Sequence, residues 1–194
     1  MTVVVASSPS AAEVSLRVDR TLRGPVSKAL KRQRPLTPAM VEDLQLGALR
    51  HRDAKVRRWC VFLLDHYAND QSTEVFAQAL HDGAHPVRDM ALHSIACEPC
   101  KEGELCVADT VPHVVHVLRH DPKADLRIKA IAVLLRLAHR DERARQALEQ
   151  AAADDADPQV RSCAREAVNG RFAPPKKRYE RAQRRHAAPT RSRG

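Results

Sequence analysis

Four residues near the middle of the chain have the types and spacing to do chemistry. His93, Cys97, Cys100 and Cys106 fall within the stretch HSIACEPCKEGELC. His93 and Cys97 are four positions apart and so share a helical face, while Cys97 and Cys100 form a C-x-x-C pair. Thiolate and imidazole are the ligands Zn²⁺ prefers, and four of them close a tetrahedral structural site with no position left for water or substrate. Pro99 and Gly103 interrupt helix in the same stretch. A metal staple would offset the ordering entropy of the long connection they create. Structural zinc is therefore the expected cofactor, with two other readings open: a redox-active disulfide, or free thiols. Cys60 and Cys163 lie in regular helical stretches and read as packing residues. Five cysteines in 194 residues are too few for a disulfide scaffold, so the expected compartment is a reducing cytoplasm.

A second group is electrostatic. Lys176, Lys177, Arg178, Arg181, Arg184 and Arg185 could track a phosphate backbone, although Phe172 and Tyr179 offer few stacking platforms. Residues 171–194 hold nine Lys/Arg and one acid, residues 1–35 hold seven and two, and the stretch between holds 17 basic and 21 acidic residues. The excess of +9 therefore belongs to the two ends, and nothing points to a positive groove on the folded part. His113 and His116 share a helical face and could pair on a metal; solvent-facing helix positions explain them equally well. Trp59, the only tryptophan, is expected to pack where the first repeat meets the N-terminal segment, with a partner hot spot as the alternative. The acids Asp154, Asp155 and Asp157 read as a solvated turn ahead of a helix N-terminus. Gly-rich phosphate loops, G-x-S-x-G and H-E-x-x-H are absent from the sequence, so catalysis is not expected.

The elements that must carry these residues show up on self-comparison. VRRWCVFLL from Val56, VRDMALHSI from Val87, LRIKAIAVL from Leu126 and VRSCAREAV from Val160 align without gaps at periods of 31, 39 and 34 residues. An aliphatic residue, a small residue four positions on and an aliphatic four further form one helical stripe: Val56/Cys60/Leu64, Val87/Ala91/Ile95, Leu126/Ala130/Leu134 and Val160/Ala164/Val168. Asp157–Pro158 and Asp121–Pro122 read as N-caps followed by Pro at the first helical position, and Asp53 as the cap of the first such helix. A preceding amphipathic stretch, at about 38–50, 72–81, 110–120 and 141–153, completes a helical hairpin in each repeat. Few aromatics and plentiful Ala, Leu and Val agree with helix–helix packing.

The corners Asp53/Val56/Arg57 and Asp157/Val160/Arg161, with the weaker matches Val87/Arg88 and Leu126/Arg127, resemble the HEAT-repeat family, especially its short phycobilisome-lyase-type repeats. The resemblance spans about residues 38–170. It implies that Arg57, Arg88, Arg127 and Arg161 form an internal ladder bonded to turn groups of adjacent repeats. Relatives of this kind include bilin lyases and DNA-base glycosylases, but the matched corners carry no such chemistry themselves.

The resulting expectation is an all-α chain: a flexible leader over 1–35, an α-solenoid of about four HEAT-like hairpins over 36–170, and a basic disordered tail over 171–194. Its expected function is a non-catalytic scaffold that holds a protein partner on a concave face lined by Arg58, Phe62, Asp89, His93, Ile128, Ala132, Ser162 and Glu166. The competing reading is a nucleic-acid- or ribosome-associated protein anchored by its basic tails. No apolar run reaches the ~20 residues needed to cross a bilayer.

Overall fold

In the computed structural model the described residues are 9–67, 72–96 and 109–172, and they are helical throughout, without strands. Four hairpins follow one another: α3 (Pro38–Arg50) with α4 (Ala54–Tyr67), α5 (Thr73–Ala79) with α6 (His85–Ala96), α7 (Val111–His120) with α8 (Ala124–Leu137), and α9 (Glu142–Asp154) with α10 (Pro158–Val168). First helices pack on first helices, second on second, so the hairpins stack into two layers of an α-solenoid.

The repeat stripe forms the seam between the layers. Cys60, Leu64, Val87, Ala91, Leu126, Ala130, Leu134, Val160 and Ala164 are at most 1 % exposed. The small residue in the middle of each stripe lets helices approach closely, which is where Cys60 belongs: its thiol is buried, and burial pushes its pKa up to about 12. A thiol held protonated in this way is a packing group, unsuited to redox chemistry.

Local signals fix most helix starts. Thr37 Oγ1 accepts from the Met40 N–H at 3.4 Å with Pro38 at the first position. Asp53 accepts from the Lys55 N–H at 2.8 Å. Asp141 and Asp157 cap α9 and α10. One expected cap is different. α8 begins at Ala124, not at Pro122, and Asp121 instead ends α7 while its carboxylate accepts from the Lys123 N–H at 2.9 Å. An ion pair, described below, holds Asp121 in that turn.

A flexible leader was expected over 1–35; residues 1–8 lie outside the described residues, and most of the rest is helical. α1 (Ala11–Thr21), a π-helical turn at Leu22–Val26 and α2 (Ser27–Lys31) form one bent helical segment, with Pro25 inside the widened turn. Ser10 and Glu13 close a capping box at its start. Val14, Val18 and Val26 are at most 1 % exposed. Val18 reaches α3 at Gly47, where any Cβ would lie 2.8 Å from both Val18 Cγ1 and Cys60 Sγ. Only glycine permits this approach, and the 0 % exposure of Val18 depends on it. Polar contacts complete the join: Arg17 and Thr21 both bond Asp43, and Arg50 donates to the Pro9 carbonyl at 2.9 Å. The segment covers the first hairpin as a terminal cap does in a solenoid.

Candidate functional site

Each second helix carries an arginine one residue after its first core aliphatic, and that side chain works in two directions. Nη1 donates to the carbonyl six residues back in its own turn: Arg57 to His51 at 2.7 Å, Arg88 to Asp82 at 2.8 Å, Arg127 to Asp121 at 2.8 Å and Arg161 to Asp155 at 2.6 Å. The Nε–Nη2 edge of the first three grips the turn aspartate of the next hairpin. Arg57 holds Asp82 at 2.6 and 2.8 Å, Arg88 holds Asp121 at 2.6 and 3.1 Å, and Arg127 holds Asp155 at 2.9 and 2.9 Å.

The planar guanidinium suits this geometry, since one edge matches a carboxylate while the remaining N–H groups meet carbonyls. Each aspartate also accepts from the backbone N–H two residues on, at Ala84, Lys123 and Asp157. Burial of Asp82 pushes its carboxyl up, yet the Arg57 fork and the Ala84 N–H outweigh it and hold the group below the usual range. The three Arg–Asp rungs are each charge-balanced with their polar atoms engaged, and they hold successive hairpins in register. Asp155 therefore belongs to the ladder, not to a solvated acidic turn.

The outer face of the second-helix layer is different. Trp59 stacks on Phe62 with ring centroids 5.0 Å apart and planes 11° off parallel, and Phe62 stacks on His66 at 4.1 Å. Trp59 is 44 % exposed, and Lys55 and Arg58 flank it in solvent. The described contact between the N-terminal segment and the first hairpin runs through α1 and α3, with Val14 and Val18 buried. Further along the same layer the charges are tied across helices: Lys129 pairs with Asp89, His85 faces Asp125 at 3.5 Å, and Arg136 donates to the Ala96 carbonyl at 2.8 Å. Arg58, Ser162 and Glu166 are exposed, Phe62, Asp89, His93 and Ala132 are half-buried, and Ile128 is buried. Ile128 thus leaves the expected partner face for the core.

With hairpins, ladder and face described, comparison with known proteins places residues 41–134, from α3 into α8, in the family described as HEAT repeats. This segment is similar to HEAT repeats. No curated protein and no solved structure matches the chain. HEAT repeats generally mediate protein–protein interaction. The same stacking continues into α9 and α10, because Asp155 accepts Arg127 just as Asp82 and Asp121 accept their own arginines.

A cluster of histidines lies on the seam between α5 and α7. His81 Nε2 and His113 Nδ1 are 3.0 Å apart, the His81 and His116 rings are 4.6 Å apart, and those of His116 and His120 are 4.9 Å apart. His81, His116 and His120 also line a cavity of about 190 Å³ with Arg88 and Asp121. Burial, then the neighbouring His116 and His113, lower the pKa of His81. The unfolded chain therefore binds this proton more readily, so the stability tied to His81 is complete above about pH 6.5 and is lost as pH falls toward the lower folded value. Tm measured from pH 7.5 to 5 should drop with acidification, and His81→Gln should flatten the upper part of that drop. An unchanged profile in the variant would remove His81 as its source.

Of the residues singled out from sequence, His93 lies in the last turn of α6, half-buried, with Nε2 4.0 Å from the buried Asp65 carboxylate. Cys97, Cys100 and Cys106 fall outside the described residues, as do Lys176, Lys177, Arg178, Arg181, Arg184 and Arg185. Among the described residues no three His, Cys, Asp or Glu side chains are arranged to hold a metal, His113 and His116 included. Among them no helix is long and apolar enough to cross a membrane. The functional residues missed from sequence are the ladder aspartates. Their signal was present: six residues before the repeated arginine the chain reads His51, Asp82, Asp121 and Asp155.

Proposed function

We propose that the chain is a non-catalytic scaffold that binds a protein partner on the concave face of its second-helix layer, with the Trp59–Phe62 stack as the anchor. The observation that carries this is Trp59 itself, a large aromatic 44 % exposed on an array whose other big side chains are mostly buried. Tryptophan and arginine dominate interface energetics when a partner desolvates them. Lys55 and Arg58 beside the stack favour a partner segment that carries acidic residues around an apolar one. The test begins with the partner recovered by crosslinking to full-length protein in its own host. Trp59→Ala should weaken that complex by at least about 2 kcal/mol, roughly 30-fold, with Tm unchanged. Equal affinity of the variant for the partner would sink the reading. If the basic tail anchors the protein on nucleic acid instead, removing 171–194 abolishes RNA or DNA retardation and Trp59→Ala leaves it intact.

We also propose a zinc staple on His93, Cys97, Cys100 and Cys106, supported by their spacing together with the place of His93. Metal-bound imidazoles commonly turn their second nitrogen toward a carboxylate, and Asp65 lies 4.0 Å from His93 Nε2. Protein purified without chelator should contain zinc in equimolar amount, and Cys100→Ser should lose both the metal and part of the Tm. Sub-stoichiometric zinc, or a Cys100→Ser protein as stable as its parent, would rule the staple out.

A further inference from the structure

Among the described residues the ladder is one carboxylate short at its α10 end. Arg161 occupies the same pose as the other three: Nη1 donates to the Asp155 and Ala156 carbonyls at 2.6 and 3.1 Å, as that of Arg88 does to Asp82 and Gly83 at 2.8 and 3.2 Å. In Arg57, Arg88 and Arg127 the Nε–Nη2 edge then meets an aspartate of the following hairpin. Among the described residues Arg161 has no carboxylate there.

Packing at this end agrees. The position five residues after the repeat aliphatic is buried in the first three hairpins as Val61, Leu92 and Ile131, and the position eight after it as Leu64, Ile95 and Leu134. In α10 these positions are Arg165, exposed, and Val168, 48 % exposed. Arg165 turns back onto its own hairpin, donating to the Ala152 carbonyl at 3.1 Å. Val168 and the Arg161 fork thus present the apolar and the ionic halves of a repeat-to-repeat contact.

We infer that the α10 end of the array is a carboxylate-binding docking site, in which Arg161 takes the turn aspartate of a helical hairpin from a different protein. The geometry of the three complete rungs defines the ligand: an aspartate in a turn between helices, approached edge-on, with apolar side chains beside it for Val168. A second copy of this chain does not supply it. Asp82, Asp121 and Asp155 are already held, the equivalent first turn carries His51, and His51 Nε2 faces Asp19 at 3.6 Å beneath the docked α1. The site lies apart from the Trp59 face and stands or falls separately from it.

The test uses the full chain with isotope-labelled arginine side chains and acetate as the probe, against chloride at matched ionic strength. The Nε–H signal of Arg161 should shift saturably with acetate. Those of Arg57, Arg88 and Arg127 should stay put. No shift at concentrations that already perturb the exposed Arg165 and Arg171 overturns the site. If the signal responds only in Glu180→Gln, the ligand is the chain's own tail, and the partner reading is overturned. A second arm inserts a copy of residues 139–170 after Gly170. The inserted hairpin should raise Tm, and Asp155→Asn within the copy should cancel the gain only when Arg161 is present. Indifference to that substitution counts against a turn aspartate as the ligand.

Discussion

Asp121→Ala is expected to destabilise the protein by about 3–5 kcal/mol, the cost of removing one partner of a buried ion pair. The Asp121 side chain is 2 % exposed and that of Arg88 10 %. Alanine would leave the Nε–Nη2 edge of Arg88 facing the α5–α7 seam without its acceptor, and would also strip the Lys123 N–H of its bond. The remaining Arg88 bonds go to carbonyls of its own turn and cannot rotate to cover the loss. Urea titration followed by circular dichroism measures the effect, which corresponds to roughly 6–20 °C in Tm. A double variant, Arg88→Met with Asp121→Leu, should recover most of the loss, because it removes the stranded charge together with its partner. If Asp121→Ala costs under about 1 kcal/mol, the pair behaves as an exposed one and the ladder does not hold the hairpins together.

Leu134→Ala is expected to cost about 2–5 kcal/mol, whereas Val168→Ala should fall within about 0.5 kcal/mol of the parent. The two residues hold the same place in the repeat, eight positions after Leu126 and Val160. Leu134 is 0 % exposed between α8 and its neighbours, so truncation leaves a cavity that a close-packed helical seam cannot collapse to fill. Val168 is 48 % exposed at the end of the array, and its removed methyl groups were already largely in water. Chemical denaturation of both variants checks the contrast. Similar losses would mean that something packs on α10 in the free protein, which would also weaken the case for an open Arg161 site.

Much of the fold was legible in the sequence because a repeat states the same local rule four times. The aliphatic–Arg–small–aliphatic spacing placed α4, α6, α8 and α10, and the Asp157–Pro158 and Asp53 caps set two of their starts. These are one-dimensional properties: helical periodicity and capping act within a few residues of one another, so the order of residues is enough to read them. The N-terminal segment was misread for a related reason. Val14 and Val18 are four apart, but two valines among Ser, Ala and Arg are a weak stripe, and Val18 is buried against the bare backbone of Gly47 on another helix.

What the residue order alone established is that four helical hairpins exist and that an arginine recurs at one place in each. What only the tertiary structure decided is what each arginine holds. The acceptors Asp82, Asp121 and Asp155 lie 25, 33 and 28 positions further along the chain from their arginines. The stacking of hairpins brings these groups within 3 Å of each other, a distance that no local pattern encodes. Among the described residues α10 is the last helix of the stack, and there Arg161 and Val168 differ from their counterparts: the same place in a repeat has different energetics when no described hairpin packs beyond it.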